Sequence, residues 1–390
     1  MTIDTDLRLR HVTPAFRTFC GDDALRRLVG ELDRAGARRA VIITVPPVFG
    51  HQQSADRLRD AFGDRLVGVF DGVVEQSPLP AVEEARAFLA DHDADTVIAV
   101  GGGSAVVTAR AASILLAEGR DVRELCTHRA ADGTLVSPRL SAPKLPQWVV
   151  PSTPTSAYAK AGAAVRDPET GERLALYDPK IRAQGIAADP VLAGTAPEQL
   201  VRSASLNVLS MAVEGLLART VDPLADALLA QALRTVVEWL PQVRRDPAAS
   251  APRLQLMLAA LMSGQGSDFT GGGLAQALSH AIGPRSSAPN GVVEALLLPH
   301  AMRFIADAVP HRFELIADVL RVSDRTPQAA VAATVDLIAS FDVPTRLRDV
   351  GVMQAALIEA ADHAMDDWAI TAGPRVPTHS EVVDLLSAAW

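Results

Sequence analysis

Short aliphatic runs alternate with amphipathic stretches over roughly the first 150 positions, and that alternation ends near residue 190. RAVIITV (39–45), LVGVFDGV (66–73) and DTVIAV (95–100) have the length and β-branched content of buried strands, and QWVVPSTPTS (147–156) reads as one more strand running into a loop. Strands separated by helical patterns predict a parallel sheet covered by helices. Beyond Pro190 the spacing turns helical: APEQLVRSASLNVLSMAVEGLLAR (196–219), PLADALLAQALRTVVEWL (223–240), RLQLMLAALMSGQ (253–265) and EVVDLLSAAW (381–390) repeat apolar residues every three to four positions. The expected architecture is an α/β domain over 1–190 followed by an all-helical domain over 191–390. Further breaks are expected at the Pro- and Asp-marked turns around 241–252.

Composition narrows the function classes. The 390 residues are 48% hydrophobic, enough for a large core and more than one domain usually holds. The net charge is −9, with acids and bases interspersed, and aromatics are 4%; neither feature suits nucleic acid or an anionic membrane. No apolar run approaches the ~20 residues that span a bilayer, and the acidic start MTIDTD is unlike a secretory signal. The expectation is a soluble cytoplasmic protein with a small-molecule partner. Cys20 and Cys126 are too few for a disulfide framework and are each expected to be small buried apolar groups. The segment 126–147 is polar, with three prolines, and reads as an excursion that is either mobile and functional or a plain surface insertion.

The chemistry starts at VIAVGGGSA. Gly101, Gly102, Gly103 and Ser104 stand between a strand and a helix. Glycine lets the backbone approach a pyrophosphate closely, and the helix start favours an anion. A Rossmann-like dinucleotide domain is the reading. The turn after VIITV carries Thr44, Val45 and Pro46 where an acid often holds an adenosine ribose, so NAD and NADP are both open.

With that turn in place, the chain resembles the iron-containing alcohol dehydrogenase superfamily, whose fold is dehydroquinate synthase-like, and within it the maleylacetate reductase branch. The resemblance runs from about Phe19 to the C-terminus. PSTPTSAY (151–158) fits the frame of the branch's Pro-Thr-Thr-Tyr-Ala-Gly-Ser-Glu motif, and AADPVL (187–192) fits its entry into the helical domain. GERLALYDPKIR resembles a Gly-x-Lys…Asp-Pro run with Arg173 at the lysine position, and GPRVPT (373–378) echoes the C-terminal NPRP. GLAQALSHAIGPRSSAPNGVVEALLLPHAMRF follows the family's histidine-rich segment for some thirty residues. The resemblance adds Ser152, Thr153, Thr155 and Arg173 to Thr44, Pro46 and the glycine turn as cofactor contacts. It also implies a homodimer and an active site in the cleft between the domains.

Metal-dependent members hold a divalent ion with an Asp, a His and two further His; at the matching positions this chain has Asn207, Met211, Gln276 and Asn290. Neutral amides and a thioether are poor ligands for such an ion, so no catalytic metal is expected. Gln276, Asn290 and Asn207 become candidate substrate contacts, with Arg285. His280, four residues after Gln276 and therefore on the same helix face, is the expected proton donor; His300 is assigned to packing or an interdomain hydrogen bond. The expected activity is a metal-independent NAD(P)H reduction of a small activated alkene or carbonyl. The alternative is a redox-silent relative using the pocket for a lyase, isomerase or cyclisation step, or for ligand binding alone.

Overall fold

A computed structural model describes residues 9–130 and 134–390. The expectation about the first residues therefore falls largely outside the described chain, and so do positions 131–133 of the 126–147 segment.

Among the described residues ten strands form: β1 (Arg17–Cys20), β2 (Ala40–Thr44), β3 (Leu66–Phe70), β4 (Thr96–Gly101), β5 (His128–Arg129), β6 (Leu135–Val136), β7 (Gln147–Pro151), β8 (Gly162–Arg166), β9 (Arg173–Tyr177) and β10 (Gly185–Ala188). Six make one parallel sheet in the order β1-β10-β7-β4-β2-β3. The period of two along each strand divides the apolar residues between two faces. Ile42, Ile98, Val100, Trp148 and Val150 pack with Leu28, Leu32, Leu58 and Phe62 from the helices Ala24–Ala35 and Gln52–Phe62. The other face carries the helix Gly103–Glu118, itself packed on Leu79–Asp91. Connections leave β2 and β4 in opposite directions, so the carboxyl ends of these adjacent strands form the switch point where such sheets take ligands.

β1 and β10 were not expected, because RTFC and GIAA hold few β-branched residues. Gly185 shows why the latter works: a Cβ there would overlap Arg17 O and meet the Trp148 ring at 2.9 Å, so glycine lets three strands close up. The expectation for 126–147 resolves into the small β5–β6 ladder and a buried anchor, with Lys144 Nζ 3.0 Å from Asp178 and also paired with Glu118. Two expectations are corrected. Cys20 is exposed rather than buried, since it ends the edge strand β1, and the break expected around 241–252 comes at 246–249, the helix Pro223–Arg245 running through Pro241 before the next begins at Ser250.

After β10 all described structure is helical, as the change in spacing at residue 190 implied. Compactness divides the chain differently. Phe16–Val208 and Thr235–Gly264 form one unit; Arg253, buried, ties the later segment to the earlier by donating to Ala193 O (2.9 Å) and Ala196 O (2.7 Å). Leu209–Arg234 and Gln265–Trp390 form a second, helical unit together with residues 9–15. Within it Arg312 donates to both Asp226 oxygens (2.6 and 2.7 Å) and to Leu216 O (2.7 Å). His11 stacks on Phe269 and lies 2.7 Å from Asp222, which fastens residues 9–15 to the unit. Among the described residues no helix is long and apolar enough to cross a membrane.

Candidate active site

In the α/β unit the glycine turn sits at the switch point. Gly101 ends β4 with φ 141°, a conformation that L side chains rarely adopt, and Gly102 caps the helix Gly103–Glu118. A Cβ on Gly102 would lie 2.6 Å from Thr153 Oγ1, and one on Gly103 3.3 Å from Thr155 Oγ1. The two threonine hydroxyls therefore converge on the turn, and Ser152 N donates to Gly101 O at 3.0 Å. Thr44 is fully buried and its hydroxyl donates to Val100 O (2.8 Å), so it locks β2 to β4. Pro46 opens a single helical turn, Pro46–Phe49.

The turn is braced from behind. Ser77, buried at φ 48°, donates to Ser104 O (3.1 Å) and accepts from Thr108 Oγ1 (3.0 Å), while its own carbonyl accepts from Arg166 N (3.2 Å). This leads to the β8–β9 hairpin, where Arg173 is exposed and in register with Arg166. Sequence reasoning missed Arg110, the one basic residue in the apolar helix after the turn. It is fully buried, donates to Gly162 O (2.7 Å) and Ala157 O (2.9 Å), and its pKa is pushed down to about 9 by burial and then by Arg182. Tyr158 donates to Thr153 O. Together they hold the loop after β7 against the turn. A helix start, a positive-φ glycine and glycines with no room for a side chain suit the close approach of a dinucleotide pyrophosphate.

In the helical unit the helix Leu274–Ile282 carries Gln276 and His280. His280 Nδ1 lies 2.7 Å from Asp367 Oδ2, each side chain 13% exposed, and Asp367 Oδ1 accepts from Ala369 N (2.8 Å) at the start of the turn Trp368–Thr371. With Nδ1–H donated to the carboxylate, the contact fixes the ring's tautomer and orientation. The start of the His280 helix is capped from another helix, since Glu214 accepts from Ala275 N (2.6 Å) and Gln276 N (3.1 Å). Burial lifts the Glu214 carboxyl to about 7 against the pull of those two amides. Neither Asp367 nor Glu214 was singled out from sequence. Glu214 follows Met211 by three positions on one helix face, which was a usable signal; Asp367, far away in MDDWAIT, gave none.

The buried Gln276 Oε1 has no hydrogen-bond partner. Asn290 is exposed at the first turn of Asn290–Ile305, its Oδ1 3.2 Å from where a Cβ on Gly283 would stand, so it lies near the end of the His280 helix. Arg285 donates to Ala281 O (2.7 Å) and pairs with Glu359 (2.8 Å). Met211 is buried, and Asn207, on the same helix Glu198–Leu216, is half-buried. His300 is half-buried, and burial, then Arg303 and Arg346, push its pKa down to about 4.

Comparison with known proteins fits this picture. Residues 14–190 match the iron-containing alcohol dehydrogenase family, and residues 202–390 match the family's C-terminal part. The chain belongs to the iron-containing alcohol dehydrogenase family. It is 30% identical to lactaldehyde reductase of Escherichia coli K12 over 380 residues, 95% of this chain and 97% of the relative. It is 26% identical to a maleylacetate reductase of Sphingobium indicum over 378 residues, 96% and 95% of the two chains. The structure of an alcohol dehydrogenase from Oenococcus oeni superposes with a TM-score of 0.89 at 22% identity, covering 98% of this chain and 100% of that one. This iron-containing alcohol dehydrogenase family member is an NAD-dependent oxidoreductase near the maleylacetate reductase branch.

The family's name implies iron, and the donor set does not fit it. At the four positions that the resemblance matches to metal ligands, Asn207, Met211, Gln276 and Asn290, the side chains are three carboxamides and a thioether, none of them anionic or imidazole. Among the described residues no group of three or more His, Cys, Asp or Glu is placed to hold a metal.

Proposed function

We propose that the protein is a metal-independent NAD(P)H reductase of a small activated carbonyl or conjugated alkene. The observation that carries this reading is His280 bound to Asp367 at 2.7 Å on a face whose metal positions are neutral. A bound nicotinamide supplies the hydride. Asp367 holds the His280 Nδ1 proton and so aims Nε2–H of the imidazolium at the substrate. His280 then gives that proton to the oxygen of a reduced carbonyl, or to the α-carbon when the β-carbon of a conjugated alkene has received the hydride, and is reprotonated from solvent. The Gln276 Nε2–H donates to the substrate oxygen, because a hydrogen bond to oxygen where charge develops is the stabilisation left when no ion is present. Asn290 and Asn207 are the further amides assigned to the substrate. Gly101, Gly102, Gly103, Ser104, Thr153 and Thr155 hold the cofactor. With no acid at Val45 the site takes NADH or NADPH.

Titration with NADH and with NADPH, followed by nicotinamide fluorescence, tests the reading. Saturable micromolar binding of at least one is expected. No binding of either at millimolar concentration moves the protein to the redox-silent reading, in which the neutral face serves a lyase, isomerase or cyclisation step or binds a ligand.

A further inference from the structure

The face around His280 also limits the substrate's charge and shape. Arg285, just past the His280 helix, pairs with Glu359 at 2.8 Å and donates to Ala281 O. Arg375 pairs with Glu381, and its guanidinium lies 3.9 Å from the Phe304 ring centroid. No lysine follows Lys180 in the chain. His280 itself is balanced by Asp367. A carboxylate brought here would meet Arg285 and Arg375 already paired and would have to compete with Asp367 for the His280 imidazolium, a costly exchange for the water it loses.

An aromatic ring stands beside the same groups. Trp368, next to Asp367, is 45% exposed, while Ala369 and Ile370 of the same turn are buried. Its Cη2 would lie 3.0 Å from a Cβ on Gly272, and the same Cβ would overlap Gln276 Oε1 and meet Ala369 at 2.8 Å. The indole and the unpartnered amide oxygen therefore crowd one glycine. Gly272 is the residue that permits both.

We infer that the substrate is an uncharged conjugated carbonyl compound with a planar apolar group, aryl or polyenyl, that lies against Trp368 while its polar end meets the Gln276 amide. This rests on the reductase reading above and names its substrate class. Planar groups stack on indole with a gain of about tenfold in affinity, and the neutral amide selects against a dicarboxylate.

The test uses the full-length protein with NADH and NADPH and three aldehydes: cinnamaldehyde, crotonaldehyde and 4-carboxycinnamaldehyde. The expected kcat/KM for cinnamaldehyde exceeds that for each of the others by at least about tenfold. Trp368→Ala raises the cinnamaldehyde KM about tenfold and leaves crotonaldehyde unchanged, while Trp368→Phe, which keeps a ring, restores most of the difference. Equal or better turnover of the carboxylated aldehyde overturns the inference, as does a Trp368→Ala loss that is the same for both uncharged aldehydes. If no aldehyde is reduced with either cofactor, the reductase reading fails and calorimetric binding of the same three compounds decides this one. Tighter binding of cinnamaldehyde that weakens in Trp368→Ala sustains the stacking site, and binding without preference, or none, overturns it.

Discussion

The glycine turn after β4 and the His280 helix are both built around glycines that leave no room for a side chain, yet they differ in what surrounds the opening. At the turn, Gly102 and Gly103 face hydroxyls from Thr153 and Thr155, and a strained serine and a buried arginine brace the backbone from behind. In the reading proposed above these contacts hold the turn in the shape a dinucleotide pyrophosphate needs. At the His280 helix, Gly273 gives way to the Glu214 carboxylate and Gly272 to Gln276 and Trp368, and beside them stand the His280–Asp367 pair and the amide of Gln276. One region keeps what a dinucleotide needs. The other, in the reading proposed above, places neutral amides at the matched metal positions and keeps one imidazole for proton transfer.

The sharpest way to break this contrast is His280→Ala, which removes the only group on the helical face assigned to proton transfer. Its kcat is expected to drop by about 10²–10⁴ with cofactor affinity unchanged, measured by steady-state kinetics beside fluorescence titration; full turnover would remove the residue's assigned role. Asp367→Asn should follow with a loss on the order of tenfold to a hundredfold, since an amide leaves the imidazole in the wrong tautomer or orientation. An unchanged pH–rate profile in that variant would make the 2.7 Å contact merely structural.

Gly102→Ala probes the other region. Its new Cβ would stand 2.6 Å from Thr153 Oγ1, a clash worth about 1–3 kcal/mol, or about tenfold or more in cofactor Kd. The double variant with Thr153→Ala should recover most of that affinity. A single variant that binds as tightly as the wild type would mean that the cofactor does not use this turn.

The smallest effect concerns Glu214. Its folded pKa of about 7 stands above the ordinary 4.5, so between those values the folded state holds more protons than the unfolded one. The stability it contributes is complete below pH 4.5 and is lost as pH rises through about 7. Glu214→Gln removes that slope. The gap in melting temperature between wild type and variant should move against the wild type from pH 4.5 to 7.5, and a gap constant with pH would deny the burial-driven shift.

How much of this was legible in the sequence follows from range. The strands β2, β3, β4 and β7 and the long helices announce themselves by local periodicity, and VGGGS declares its turn because glycine, strand and helix are contiguous. His280 and Gln276 share a helix face four residues apart, so their pairing was local too. β1 and β10 were missed because a parallel strand made of RTFC or GIAA gains its stability from neighbours far along the chain. Asp367 is 87 residues from His280 and Glu214 is 61 from Ala275; no spacing encodes such contacts. Arg285 looked free in sequence because Glu359, which neutralises it, is equally remote.

The central claim is that the helical face carries its chemistry without an ion. Purified protein should be treated with EDTA and dialysed, its iron and zinc measured by mass spectrometry, and its NAD(P)H-dependent turnover compared before and after adding each metal back. The account predicts far less than one metal per chain and turnover indifferent to chelation and to added iron or zinc. One tightly held ion per chain, with turnover abolished by its removal and restored by its return, would contradict it.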